Sequence, residues 1–307
     1  MSKGMIQIKI LFGMAVLGMT TAGLSVAGNE SPGFSPAGKV VEGLHLESEL
    51  LGRKVNYAIY LPPGYDDSAR RYPVVYLLHG FTDAEWAWVQ FGEVQVSADQ
   101  GILSGEIPPT IIAMPDGGVT WYVNDASGSV PYEKMFIEEF IPHIDRTFRT
   151  RPSKEFRGVS GLSMGGFGSL MLAMRHPDLF AACVAFSSGI ITDQEVIDMP
   201  QERWDTVFGA PFGKGIVGQN RISDHWKEYN PLYLAKNRPV DELKSVRYYI
   251  DCGDDDFLYK GNAALHILLR ELEIPHEYRV REGGHEWSYW RTGIRKGLRF
   301  IGEGFHR

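Results

Sequence analysis

Apolar and polar positions along the chain change their period twice. From Leu44 to Leu50 and from Lys54 to Leu61 they alternate, with Val55, Tyr57, Ile59 and Leu61 on one side of the second run. That period of two predicts an antiparallel strand pair. Short unbroken apolar runs follow: Val74–Leu78, Thr110–Met114, Phe156–Leu162, Ala182–Phe186, Val246–Asp251 and Glu277–Val280. Runs of this length without alternation predict strands buried on both faces. Tyr132–Phe148, Met164–Arg175, Gly261–Leu272 and Glu286–Ile301 lie between or after them and read as helices. In the last, Trp287, Trp290, Ile294, Leu298 and Ile301 recur every three or four residues, a stripe that faces a core. Buried strands alternating with helices predict an α/β fold, a mostly parallel sheet covered on both faces.

The N-terminal stretch follows a different pattern. Lys3 and Lys9 precede apolar residues from Ile10 to about Val26, and Ser25-Val26-Ala27 supplies small residues at the −3 and −1 positions. This layout predicts a secretory signal over 1–27, cut after Ala27, and hence a periplasmic or secreted protein with no membrane contact after cleavage. An uncleaved anchor is the competing reading, weakened by the short length and the Gly and Thr content of the stretch. Residues 28–39 are rich in Gly, Pro and Ser and read as a flexible leader. Residues 40–307 carry no repeat or long linker and read as one domain.

Charge and cysteine content narrow the function. The 307 residues carry 31 Lys+Arg and 38 Asp+Glu, a net charge of −7, which becomes −9 once Lys3 and Lys9 are removed. A nucleic-acid partner needs a basic face, and none is written here. The two cysteines, Cys183 and Cys252, have no CxxC spacing, and no HExxH occurs, so no metal and no cofactor are expected. One bridge between them would require neighbouring strands in register.

Chemistry begins at Gly161-Leu162-Ser163-Met164-Gly165. GxSxG sets a serine on a strand-to-helix turn so tight that its neighbours must be small, and here a predicted strand ends and a predicted helix begins at that point. A nucleophilic Ser163 needs a base, and the base needs an orienting carboxylate. In this topology the acid and then the histidine follow at later strand ends. Cys252-Gly253-Asp254-Asp255-Asp256 supplies three candidate acids after one strand, with the unused ones free to cap the next helix. Glu282-Gly283-Gly284-His285 supplies the base after another. Leu78-His79-Gly80-Phe81 leaves a buried strand into a turn, so the Phe81 and Met164 amides are the expected oxyanion donors. His79 reads as a hydrogen-bonded scaffold residue.

Five segments together resemble the esterase-D-type branch of the α/β-hydrolases: Leu77-Leu78-His79-Gly80, Asp116-Gly117-Gly118 leading to Trp121-Tyr122, Glu139 to Asp145, Gly161 to Gly166, and Gly283-Gly284-His285. That branch includes feruloyl esterases, acetyl esterases, S-formylglutathione hydrolases and mycolyltransferases, and the resemblance runs from about Val41 onward. It implies an eight-stranded α/β-hydrolase sheet and a serine esterase that works through an acyl-enzyme. Its Cys-Gly-x-x-Asp pattern, carried onto Cys252 to Asp256, selects Asp256. It also implies that Trp88 and Trp121 meet the substrate. Phe81 departs from the small residue usual after His-Gly, which would narrow the acyl side. The stretch 189–243 matches only loosely and is expected to form a lid. Its Trp204, Phe208, Phe212, Trp226 and Tyr229 read as a local core before they read as a ligand box. Export sits badly with a glutathione thioester, so the expected substrate is a small-molecule or oligosaccharide ester, with a feruloyl ester of plant polysaccharide preferred. Acetyl or short-chain carbohydrate esters come next, then acyl transfer of the mycolyltransferase type, then a non-catalytic carbohydrate-binding protein.

Overall fold

The computed structural model describes residues 37–305, so the predicted signal and most of the leader lie outside the described residues. Eight strands form one sheet: β1 (Lys39–Ser48), β2 (Arg53–Leu61), β3 (Val74–Leu78), β4 (Ile111–Pro115), β5 (Arg157–Leu162), β6 (Ala182–Phe186), β7 (Arg247–Gly253) and β8 (His276–Arg281). Their spatial order is β1-β2-β4-β3-β5-β6-β7-β8. β1 pairs with β2, and β2 with β4, in antiparallel fashion; every other pairing is parallel. This is the α/β-hydrolase arrangement. β3 to β6 are buried along their whole length, as their unbroken apolar runs require.

Helices cover both faces. Met164–Arg175 and Tyr259–Glu271 pack on one side with residues 132–147, while Val94–Leu103 and Trp287–Gly304 pack on the other. The helix over 132–147 contains one widened π turn, Phe136–Phe140, immediately before Pro142. A proline lacks the N–H that a regular turn would use, and the wider turn accommodates it. Glu139, in that turn, accepts hydrogen bonds from the Ser48 hydroxyl (2.5 Å) and the Glu49 and Leu50 amides (3.0 Å each), tying the β1–β2 turn to the sheet.

β1 begins earlier than its alternation predicts. A bulge between Val41 and Leu44, with Gly43 at φ +74°, breaks the period and hides the first residues of the strand. Cys183 and Cys252 do lie on neighbouring strands, but Cys183 faces Tyr248, four residues from Cys252. Both thiols are free and buried, and burial raises their pKa values.

The order β4-β3-β5 places strands that leave in opposite directions side by side. The crevice above the carboxyl ends of β3 and β5 is therefore the topological switch point of the sheet, the place where such folds bind ligands.

Candidate active site

Ser163 follows β5 at that switch point and opens the helix Met164–Arg175 with φ 53° and ψ −116°, a strained setting for a residue with a side chain. The flanking glycines are required by contact. A Cβ on Gly161 would lie 2.5 Å from the Gly165 carbonyl, and one on Gly165 would collide with the Leu78 and His79 carbonyls. The Ser163 amide donates to Phe186 O (2.9 Å), and its carbonyl accepts from the Gly189 amide (2.8 Å), so the turn is pinned between β5 and β6.

His285 reaches this serine from the loop after β8. Its Nε2 lies 2.9 Å from Ser163 Oγ, and its Nδ1 lies 2.9 and 3.2 Å from the two carboxylate oxygens of Asp256. A carboxylate can only accept, so Nδ1 carries the proton and Nε2 is left to take one from the serine. Asp256 is buried. Burial works against its charge, but the hydrogen bond and charge of His285, the Leu258 amide (2.8 Å) and the Ser187 hydroxyl together hold the carboxyl below its ordinary range. Of the three candidate acids, only this one meets the histidine. Asp254 instead accepts from the Gly283 amide (2.9 Å), bracing the histidine loop rather than capping a helix, and Asp255 is exposed.

The loop after β3 closes the other side. A Cβ on Gly80 would fall 3.7 Å from Ser163 Cβ, so the Gly80–Phe81 turn lies against the serine. The Phe81 amide has no partner among the described residues, and the Met164 amide is one of the unpaired N–H groups of a helix start. His79 is scaffold. Its Nδ1 donates to Gly80 O (2.8 Å) and its Nε2 accepts from the Gly117 amide (2.7 Å), which gives the Asp116-Gly117-Gly118 motif its purpose.

A cavity of about 490 Å³ opens over Ser163 and His285. Trp121 lines it, with its indole N–H on Val207 O (2.8 Å) and its ring 4.6 Å from that of Phe208. Trp88 does not, contrary to expectation. It is buried beneath the site, where its N–H donates to Leu78 O (2.9 Å) and its ring packs on Trp287, which does line the cavity. The segment 189–243 folds into short helices and supplies one wall through Gly189, Ile191, Arg203, Val207 and Phe208. Trp204, Phe212 and Trp226 pack on one another behind Phe208 as a local core.

Arg203, Phe257 and Trp290 are among the cavity residues that carried no motif. Ser187, at the end of β6, was equally silent, although its φ of 43° is unusual for a serine. Its Oγ accepts from the Trp290 indole (3.0 Å) and its hydroxyl faces Asp256, so it helps to position the acid. A hydrogen bond to a charged group justifies an expected fall in kcat of roughly tenfold for Ser187→Ala, with KM little changed. Ser187→Gly relieves the backbone strain and should share the loss in steady-state assays, which separates the hydroxyl's role from folding.

Comparison with known proteins gives one family match. The family model Esterase, described as "Putative esterase", matches residues 48–301. A bifunctional "Endo-1,4-beta-xylanase/feruloyl esterase" from Xylanibacter ruminicola is 34% identical over 158 residues, 49% of this chain and 22% of that protein. "Esterase Rv1288" from Mycobacterium tuberculosis is 28% identical over 78% of this chain and 54% of its own length. The chain thus spans only about a fifth and about half of these two relatives. An "Acetyl esterase" from Caldicellulosiruptor saccharolyticus is 24% identical over 75% of this chain and 83% of that protein. Among solved structures, a ferulic acid esterase superposes with a TM-score of 0.76 at 29% identity, covering 88% of this chain and 99% of that one.

Proposed function

Because the chain belongs to the Esterase family, we propose that it is an exported serine esterase that hydrolyses feruloyl esters of plant polysaccharide through the triad Ser163, His285 and Asp256. The observation that carries the chemistry is the unbroken run of hydrogen bonds from Ser163 Oγ through His285 to Asp256, opening onto the cavity at the sheet's switch point. His285 takes the proton as Ser163 Oγ attacks the ester carbonyl. The Phe81 and Met164 amides hold the resulting oxyanion, each worth about 3 kcal/mol. As the tetrahedral species collapses, His285 returns the proton to the leaving alcohol oxygen. Water then attacks the acyl carbonyl while giving a proton to His285, and His285 passes that proton to Ser163 Oγ as the acid leaves.

The feruloyl acyl group is supported by the aromatic end of the cavity, where Trp121 and Phe208 lie, and by the feruloyl esterase relatives. Acetyl is the second reading, favoured by Phe81 on the cavity wall and by the acetyl esterase relative. The test is kcat/KM on methyl ferulate against p-nitrophenyl acetate, with Ser163→Ala as blank. A preference for ferulate of roughly tenfold or more is expected, a factor that pocket contacts can supply. Efficient acetate cleavage with negligible ferulate turnover moves the substrate to acetyl esters. Export rests on the residues before Gly28. The mass of the protein recovered from periplasm or medium is expected to begin at Gly28, and a full-length cytosolic product would overturn it.

A further inference from the structure

A second cavity, of about 610 Å³, adjoins the one over Ser163 and shares Ile191, Arg203, Phe257 and Leu258 with it. The two differ in character. On the helix Gln201–Val207, Arg203 and Val207 are four residues apart and so point the same way. Val207 meets the aromatic end, beside Trp121 and Phe208, while Arg203 stands at the junction with the second cavity. That second cavity is lined with Thr192, Gln194, Glu195, Asp198 and Lys260; Thr192 and Glu195 are tied to each other in a helix-capping pair, with the Thr192 hydroxyl and amide on the Glu195 carboxylate (2.7 and 3.1 Å). Gln194 donates to Asp198 (2.7 Å), and Lys260 lies 3.8 Å from Glu195. Arg203 makes no hydrogen bond or ion pair among the described residues.

Phe257 is the second unexplained feature. It follows the triad acid, is 56% exposed, and lays its ring 4.6 Å from that of His285. A large aromatic left in water beside a catalytic base, at the border of two cavities, has an open face and no partner for it. The chemistry fixes which half of an ester would meet it. His285 must protonate the alcohol oxygen, so the alcohol departs on the histidine side of Ser163, the side that Phe257 borders. A sugar ring has an apolar C–H face and a hydroxylated edge. An open aromatic face next to a rim of charged and amide side chains complements both.

We infer that the second cavity is where the alcohol half of the ester, the glycosyl group of the reading above, sits, and that Phe257, Arg203 and Lys260 are its specificity residues. The inference rests on the ester-hydrolase reading above and adds to it where the sugar sits and which residues read it.

The experiment holds the acyl group fixed and varies only the alcohol. Methyl ferulate is compared with methyl 5-O-feruloyl-arabinofuranoside, and ethyl acetate with an O-acetylated methyl xyloside, for the full chain and for Arg203→Ala, Phe257→Ala and Lys260→Ala. Labelling of Ser163 by a fluorophosphonate reports that each variant is folded and reactive. The native protein is expected to favour the glycosyl ester in at least one pair by roughly tenfold in kcat/KM, and the variants to bring that ratio towards one, the range covered by one or two lost hydrogen bonds to charged groups. Because the ratio is read separately for each acyl group, a wrong acyl assignment removes one pair and leaves the other to test the site. A native ratio near one, or a ratio that all three variants leave unmoved, overturns the inference. So does a change in acyl preference at constant alcohol, which would give the second cavity to the acyl half. Labelled protein that cleaves neither pair overturns both this site and the hydrolase reading.

Discussion

Ser163→Ala is expected to lower kcat on the preferred ester by roughly 10⁴–10⁶, the scale seen when a nucleophile that acts as a unit with its base is removed. The loss should fall on kcat, because in the proposed reaction the hydroxyl oxygen forms the acyl bond, and the cavity walls remain in place. Residual turnover would come from water attacking a carbonyl still polarised by the Phe81 and Met164 amides. Stability should change little. The turn is held by backbone bonds to Phe186 and from Gly189, none of which uses the hydroxyl, and alanine meets the same φ of 53°. Steady-state kinetics with a thermal melt of the variant checks both parts. Activity within tenfold of the native protein would mean that another group is the nucleophile.

Asp256→Asn is expected to cost about 10⁴ in kcat while leaving the fold intact, the size of effect known when a triad acid becomes an amide. The reason is local. Asp256 accepts from the Leu258 amide at Oδ1 and from His285 Nδ1 chiefly at Oδ2. An asparagine has one accepting oxygen, and the Leu258 amide can only donate. If that oxygen stays on Leu258, the side-chain NH₂ faces His285 Nδ1, which must then give up its proton and accept. The imidazole is left with its hydrogen on Nε2, pointing at a serine whose proton it should be taking. Asp255→Asn touches none of these atoms and should stay within about twofold of native activity, inside the usual spread for a surface substitution. Comparable losses from the two variants would move the acid role away from Asp256.

The sheet was legible because its inner strands are buried on both faces and are written as unbroken apolar runs. The nucleophile turn was legible because steric crowding at Gly161 and Gly165 leaves a spaced pair of glycines in the sequence. His285 was legible from its place after a strand. The choice among Asp254, Asp255 and Asp256 was not, since all three share a loop and only the path of the backbone decides which one meets the imidazole. It took the family pattern to select Asp256. Trp88 misled for the opposite reason. A tryptophan near a motif looks the same in sequence whether its ring meets a ligand or, as here, its N–H satisfies a buried carbonyl. The helix Val94–Leu103 was missed because Glu93 gives it no side-chain cap and Gly101 sits inside it. Arg203, Phe257 and Ser187 left no trace, because Ser187 meets Trp290 and Asp256 more than 50 residues away in sequence, and the exposure of Arg203 and Phe257 is not recorded in composition.

The parts of the site hang on the ends of five strands. Phe81 follows β3, Ser163 follows β5, Ser187 follows β6, Asp256 follows β7 and His285 follows β8. No hairpin and no single βα unit holds the base and the nucleophile together, and β5 to β8, which carry both along with the Met164 amide, still need β3 for the Phe81 amide. A partly folded domain therefore lacks the complete site, and full turnover is tied to the cooperative unit as a whole. Hydrolysis of an ester would serve as a reporter of global folding in this protein. A chain threaded unfolded across a membrane would be chemically silent until its last strand docks.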